Sequence, residues 1–66
     1  MNPKERTVSV QVQDQRYGWI AFVEDWDLGD PIESGYSKQE ALDNLQERLE
    51  DLYYPDTVVL VVTKEY

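Results

Sequence analysis

The chain carries fourteen carboxylates, no histidine and no cysteine, and that inventory bounds its chemistry. Without His or Cys there is no imidazole or thiolate metal ligand, no cysteine nucleophile, no histidine base and no disulfide. What remains is carboxylate chemistry: cation binding, acid–base work by paired acids, or attraction of a basic partner. The segment Asp25-Trp26-Asp27-Leu28-Gly29-Asp30 begins like a calcium loop, whose alternate carboxylates point inward. Its fifth position is Gly29 and no bidentate acid stands in register after it, so we expect a solvated acidic loop, no metal and no other cofactor. Two acids can hydrolyse sugars or phosphates, but one of them must be buried enough in a pocket to be tuned. Here the acids fall in a loop and on the polar side of a helix. The serines are Ser9, Ser34 and Ser37, and Ser37 is needed as a helix cap. No catalytic residue is nominated, and no enzyme is expected.

The placement of the charge is more informative than its sum. Net charge is −8, which argues against direct binding to nucleic acid or an anionic membrane. From Glu24 to Asp56 there are 11 acids and 2 bases, whereas the rest of the chain is almost neutral. Trp26 sits inside this acidic stretch, as a lid over a small core or as a contact anchor, since interfaces favour Trp and Tyr.

One small domain must position these groups. Sixty-six residues bury only about 60% of the surface their unfolded chain exposes, so a single modest core is the limit. The longest apolar run, Val58 to Val62, is far short of the roughly 20 residues a membrane helix needs, and the N-terminus has no apolar signal region. A cytoplasmic setting is the expectation. Thr7 to Gln13 alternates Val8, Val10 and Val12 with polar residues and predicts a strand with one wet face. Asp14 to Gly18 predicts a hairpin loop of three to five residues. Trp19 to Val23, apolar throughout, predicts a central strand or one covered on both faces. Ile32 to Ser34 predicts a short third strand ended by Gly35.

Ser37-Lys38-Gln39-Glu40 fits a capping box opening a helix, with Tyr36 placed as a hydrophobic staple against Ala41. Ala41, Leu42, Leu45, Leu49, Leu52 and Tyr53 recur on one stripe, and Pro55 stops the helix near Tyr53. The opposite side carries Glu40, Asp43, Glu47 and Glu50, answered only by Lys38 and Arg48. Glu50 and Asp51 oppose the helix dipole, which fits a surface kept acidic for a basic partner rather than for stability. Thr57 to Thr63 is a fourth strand, apolar on both faces. One helix covers one face of a sheet, so either Val58, Leu60 and Val62 or Val59 and Val61 must meet something else. Self-association is expected there.

Certain residues also resemble the HicB antitoxin family. The run Tyr17-Gly18-Trp19-Ile20-Ala21-Phe22, the loop Trp26 to Gly35 and the helix start Ser37 to Leu45 are similar to its pattern G-Y-x-A-x-x-P-D-L-P-G-C-x-x-x-G-x-[ST]-x-x-E-A-x-x-N. Asp27-Leu28, Gly35, Ser37, Glu40-Ala41 and Asn44 match without a gap. Gly29-Asp30-Pro31 replaces the Pro-Gly-Cys that usually follows Asp-Leu. The resemblance implies a partial ribonuclease-H-like β-β-β-α-β arrangement, an α+β fold whose four-stranded mixed sheet has the order 3-2-1-4. Its fourth strand would run parallel to the first, after a right-handed crossover through the helix. It also implies direct neutralisation of a small basic, RNA-cleaving HicA-type toxin. A C-terminal DNA-binding domain, common in that family, has no counterpart before Tyr66, and a single domain over residues 1–66 is expected.

The expectation is therefore a non-catalytic, HicB-like binding module. Its partner would be met by Asp25, Trp26, Asp27, Asp30, Glu33, Asp43, Glu47 and Glu50, and a dimer or tetramer would form through Val59 and Val61. Two alternatives keep the same fold. One is a phage-type inhibitor whose acidic face mimics nucleic acid against a defence nuclease. The other is an orphan domain that only oligomerises.

Overall fold

A computed structural model describes residues 2–66. The elements run β1 (Glu5–Gln15), β2 (Gly18–Val23), β3 (Ile32–Gly35), α1 (Lys38–Leu52) and β4 (Thr57–Glu65), in one sheet of order β3-β2-β1-β4. β1 pairs antiparallel with β2, β2 antiparallel with β3, and β4 parallel with β1. The α+β class and strand order match the sequence-based expectation. β3 and β4 therefore run in the same direction, and α1 is the crossover between them.

The alternation in β1 does what its period requires. Val10 and Val12 are fully buried under α1 together with Ala21, Ala41, Leu45, Leu49 and Val58, with Val8, Trp19, Val23, Leu42, Tyr53 and Leu60 packed around them. The hairpin is tighter than predicted: Gln15 pairs with Gly18, leaving a turn of only Arg16 and Tyr17. Asp14 and Gln15 are polar and read as loop. Asp14 is held from both sides, by its pairing with Trp19 and by its N–H donating to the Tyr66 carbonyl at 3.0 Å. β2 is central, as expected, but only one of its faces is covered.

The helix begins as its sequence dictates. The Glu40 N–H donates to the Ser37 hydroxyl at 3.1 Å, satisfying one of the orphan donors of the first turn. The reciprocal arm differs from a capping box, because the Glu40 carboxylate accepts from the Tyr36 N–H at 3.4 Å and not from Ser37. The staple does not form either. Tyr36 is 87% exposed, so its ring does not pack against Ala41. Of the apolar stripe, Ala41, Leu45 and Leu49 are buried, Leu42 and Tyr53 are half-buried, and Leu52 is exposed at the helix end.

The register decides which side chains the sheet leaves bare. Val58 is buried on the helix face; Leu60 and Val62 follow it at the spacing of two, Leu60 half-buried and Val62 43% exposed. Val59 and Val61 point to the open face, where they are 39% and 44% exposed. A bulge between Val10 and Gln11 then shifts the pairing, so that Lys64 faces Gln11 and Glu65 faces Val12. This puts Glu65 beside the start of α1, where Lys38 Nζ meets it at 3.1 Å.

Candidate functional site

The acidic residues the sequence singled out fall into three separate places. The first is the β2–β3 connection. There the Asp30 N–H donates to the Asp27 carbonyl at 3.0 Å, closing a four-residue turn. Gly29 takes the left-handed φ of +101° that such a turn requires at its third residue. The Asp27 N–H donates to Asp30 Oδ2 at 2.9 Å, the Leu28 N–H to Asp27 Oδ1 at 2.8 Å, and Trp26 Nε1 to the Asp30 carbonyl at 3.0 Å. The loop is thus tied to itself. Trp26 lies outside the core cluster, fastened by its indole N–H to its own loop and 41% exposed, and Leu28 projects at the tip, 91% exposed. The ring therefore does not lie over the core cluster.

The second place is the flank of α1 beside β3. Asn44 Nδ2 donates to the Ser34 carbonyl at 2.8 Å and so fixes which side of the helix faces β3. Positions three, four and seven residues further on share that side, which brings Glu47, Arg48 and Asp51 to Glu33 of β3. These five residues line a shallow depression of about 260 Å³. Asp51 belongs to this group although it was not among the nominated residues. Its helical offset from Asn44 and Glu47 was the available signal.

The third place is the remainder of the helix. Asp43 lies on the solvent side, accepting from Gln39 Nε2 at 2.8 Å. Glu50, one turn beyond Gln46, lies on the β4 side, since Gln46 Nε2 donates to the Val58 carbonyl at 3.0 Å. The nominated face is therefore interrupted. Asp25, Trp26, Asp27 and Asp30 form one patch and Glu33 and Glu47 a second, while Asp43 and Glu50 are separate from both. The topology places the loop and the C-terminal end of α1 toward the same end of the sheet, so the first two patches share the β3 edge.

Among the described residues the ion pairs are Arg6–Asp56 and Lys38–Glu65, both at 3.1 Å. None of the acids from Glu24 to Asp51 takes part in one. Asp56 is the exception within the acidic stretch. It accepts from the Lys4 backbone N–H at 3.2 Å and from Arg6 Nη2 at 3.1 Å, and these bonds hold its carboxyl below the usual carboxylate range. Arg6 also stacks on Tyr53, 4.2 Å from the ring centroid, so this cluster clamps the start of β4 to the start of β1. Among the described residues no group of three acidic, His or Cys side chains is placed to hold a metal ion.

A groove at the hairpin end has only a faint signal in the sequence. Arg16, Tyr17, Trp19, Ser34, Tyr36 and Glu40 line an open depression of about 460 Å³. Gly18 and Gly35 lie in its wall, where the two strands approach so closely that a Cβ on Gly18 would lie 2.5 Å from the Gly35 carbonyl oxygen. The adjoining Tyr17 and Tyr36, both exposed, were the only hint of it. No helix among the described residues is long and apolar enough to cross a membrane. No protein-family model matches the chain, and neither a curated protein nor a solved structure matches it.

Proposed function

We propose that the chain is a non-catalytic binding module of the HicB antitoxin type. It neutralises a small basic protein, of the RNA-cleaving HicA class, at the β3 edge. The observation that supports this reading is the uncompensated charge there: Asp25, Asp27, Glu47 and Asp51 are exposed and Asp30 and Glu33 half-buried near one edge, with Arg48 the only base beside them among the described residues. Carboxylates without internal ion pairs keep their attraction for a basic surface and steer its approach. The self-tied loop presents Trp26 and Leu28 beside them as apolar contacts with little ordering cost.

The test is titration calorimetry and salt-dependent association kinetics against the small basic protein encoded next to this chain. Glu33→Lys with Glu47→Lys reverses charge without touching the carboxylates that close the loop. Affinity should fall by about tenfold or more, mostly through slower association and less so at high salt. Affinity within twofold of the unmodified chain at low salt would refute this interface.

A further inference from the structure

We propose that β4 is the edge of a symmetric dimer, pairing antiparallel with β4 of a second copy about a twofold axis at Val61. The sheet then becomes eight-stranded and continuous. The inference rests on backbone accounting and does not depend on the basic-partner reading above.

β4 is the terminal strand, nine residues long, with its outer side unpaired by any strand. The Thr57 N–H donates inward to the Lys4 carbonyl at 2.8 Å. Alternation then turns Val59 and Val61 toward β1, and the N–H and C=O of Val58, Leu60 and Val62 outward. The Val58 carbonyl is already taken by Gln46 Nε2, which leaves Leu60 and Val62 with free donors and acceptors. Past Val62 the bulge reverses the alternation, because Tyr66 donates inward to Val12.

These facts select the register. An axis at Leu60 would set Val62 against the partner's Val58, whose carbonyl is capped. An axis at Val62 would set Leu60 against the partner's Lys64, whose backbone points inward past the bulge. Only an axis at Val61 sets Leu60 against the partner's Val62 and the reverse, so that free donors meet free acceptors. Val61 then faces the partner's Val61 as a non-hydrogen-bonded pair about 4.5 Å apart between Cα atoms.

Charge favours a second copy as the occupant. Thr57 to Val62 carries no charge in a chain of net −8, and the bases and acids of β4 are one each, Lys64 and Glu65. The acidic loop and Glu33 belong to the β3 side, the opposite edge of the sheet. Pairing through β4 therefore holds the two acidic edges as far apart as the sheet permits, where pairing through β3 would press them together. It also covers the uncharged stretch Thr57 to Val62 of an open edge, of the kind that otherwise aggregates.

Sedimentation of the isolated chain at about 100 μM should give twice the 7.8 kDa chain mass. Val61→Lys sets two like charges directly across the axis and should return the monomer mass, with an unchanged circular dichroism spectrum, because Val61 is exposed in the single copy. The chain has no cysteine, so single variants can be read by cross-linking. Val61→Cys should oxidise to a linked dimer within reach of disulfide geometry. Val59→Cys, similarly exposed, should not link, since its own copy would lie about 13 Å away along the strand. A monomer at that concentration, or Val59→Cys linking as readily as Val61→Cys, would overturn the proposal. Failure here leaves the β3-edge binding test untouched.

Discussion

Gly35 offers the most direct test of how the helix is held against the sheet. A Cβ at this position would lie 2.5 Å from the Ala41 backbone nitrogen and 2.8 Å from both the Glu40 carbonyl carbon and Cβ. Ordinary contact begins near 3.4 Å. Gly35→Ala must therefore push the first turn of α1 off β3 by about 1 Å, since two of the three obstructing atoms are backbone and cannot rotate away. Overpacking of this kind costs about 1–3 kcal/mol, and backbone obstruction favours the upper half of that range. Replacing Gly in a strand recovers up to about 1 kcal/mol of unfolded-state entropy, which is smaller and does not reverse the sign. A chain of this length has roughly 3–10 kcal/mol of stability in all, so a net loss of about 2 kcal/mol is a sizeable share. It corresponds to a drop in Tm of roughly 8–16 °C for a domain of this size. Thermal unfolding followed by circular dichroism, at one fixed protein concentration, reads this directly. Gly29→Ala is the control: Gly29 has open space around it, and only its φ of +101° resists a side chain, which costs about 1–2 kcal/mol. A Gly35→Ala Tm within 2–3 °C of the unmodified chain would refute the close approach of Gly35 to α1, about 1 kcal/mol being worth at least 4 °C here.

Two further expectations follow from the core and from the β1–β4 clamp. Leu45→Ala removes a fully buried side chain and should cost about 2–5 kcal/mol, leaving a partly unfolded population detectable by urea titration at room temperature. Asp56 has a folded-state pKa below its unfolded one. Its contribution is thus complete above the unfolded value, near pH 4, and is lost as pH falls through the lower folded value. Asp56→Asn should flatten the loss of stability below about pH 4 and lower stability at neutral pH, and an unchanged acid slope in urea titrations would contradict the clamp.

Much of the fold was legible because local period and tertiary environment agree. Val8, Val10 and Val12 alternate on a strand with one buried face, and Leu45 and Leu49 recur on a helix with one buried side. Ser37 marked the helix start correctly, since an N-cap needs only its own next three residues. Where a neighbour intervenes, local signals misled. Asp14 and Gln15 are polar yet belong to β1, held by flanking strands, and Tyr36 follows a staple pattern yet stays exposed. The candidate site was legible in composition and only partly in geometry. Counting acids between Glu24 and Asp56 found the charge. It did not show that Asn44 turns Glu47 and Asp51 toward Glu33 while Gln46 turns Glu50 toward β4.

The sequence by itself determined an acidic, cysteine-free and histidine-free α+β domain, because composition, period and capping are properties of residues and their near neighbours. The tertiary structure decided which carboxylates stand together, which valines of β4 are bare, and which backbone groups of that edge are free. Those depend on register and on contacts such as that between Gln46 and Val58, twelve residues apart, which no local pattern encodes.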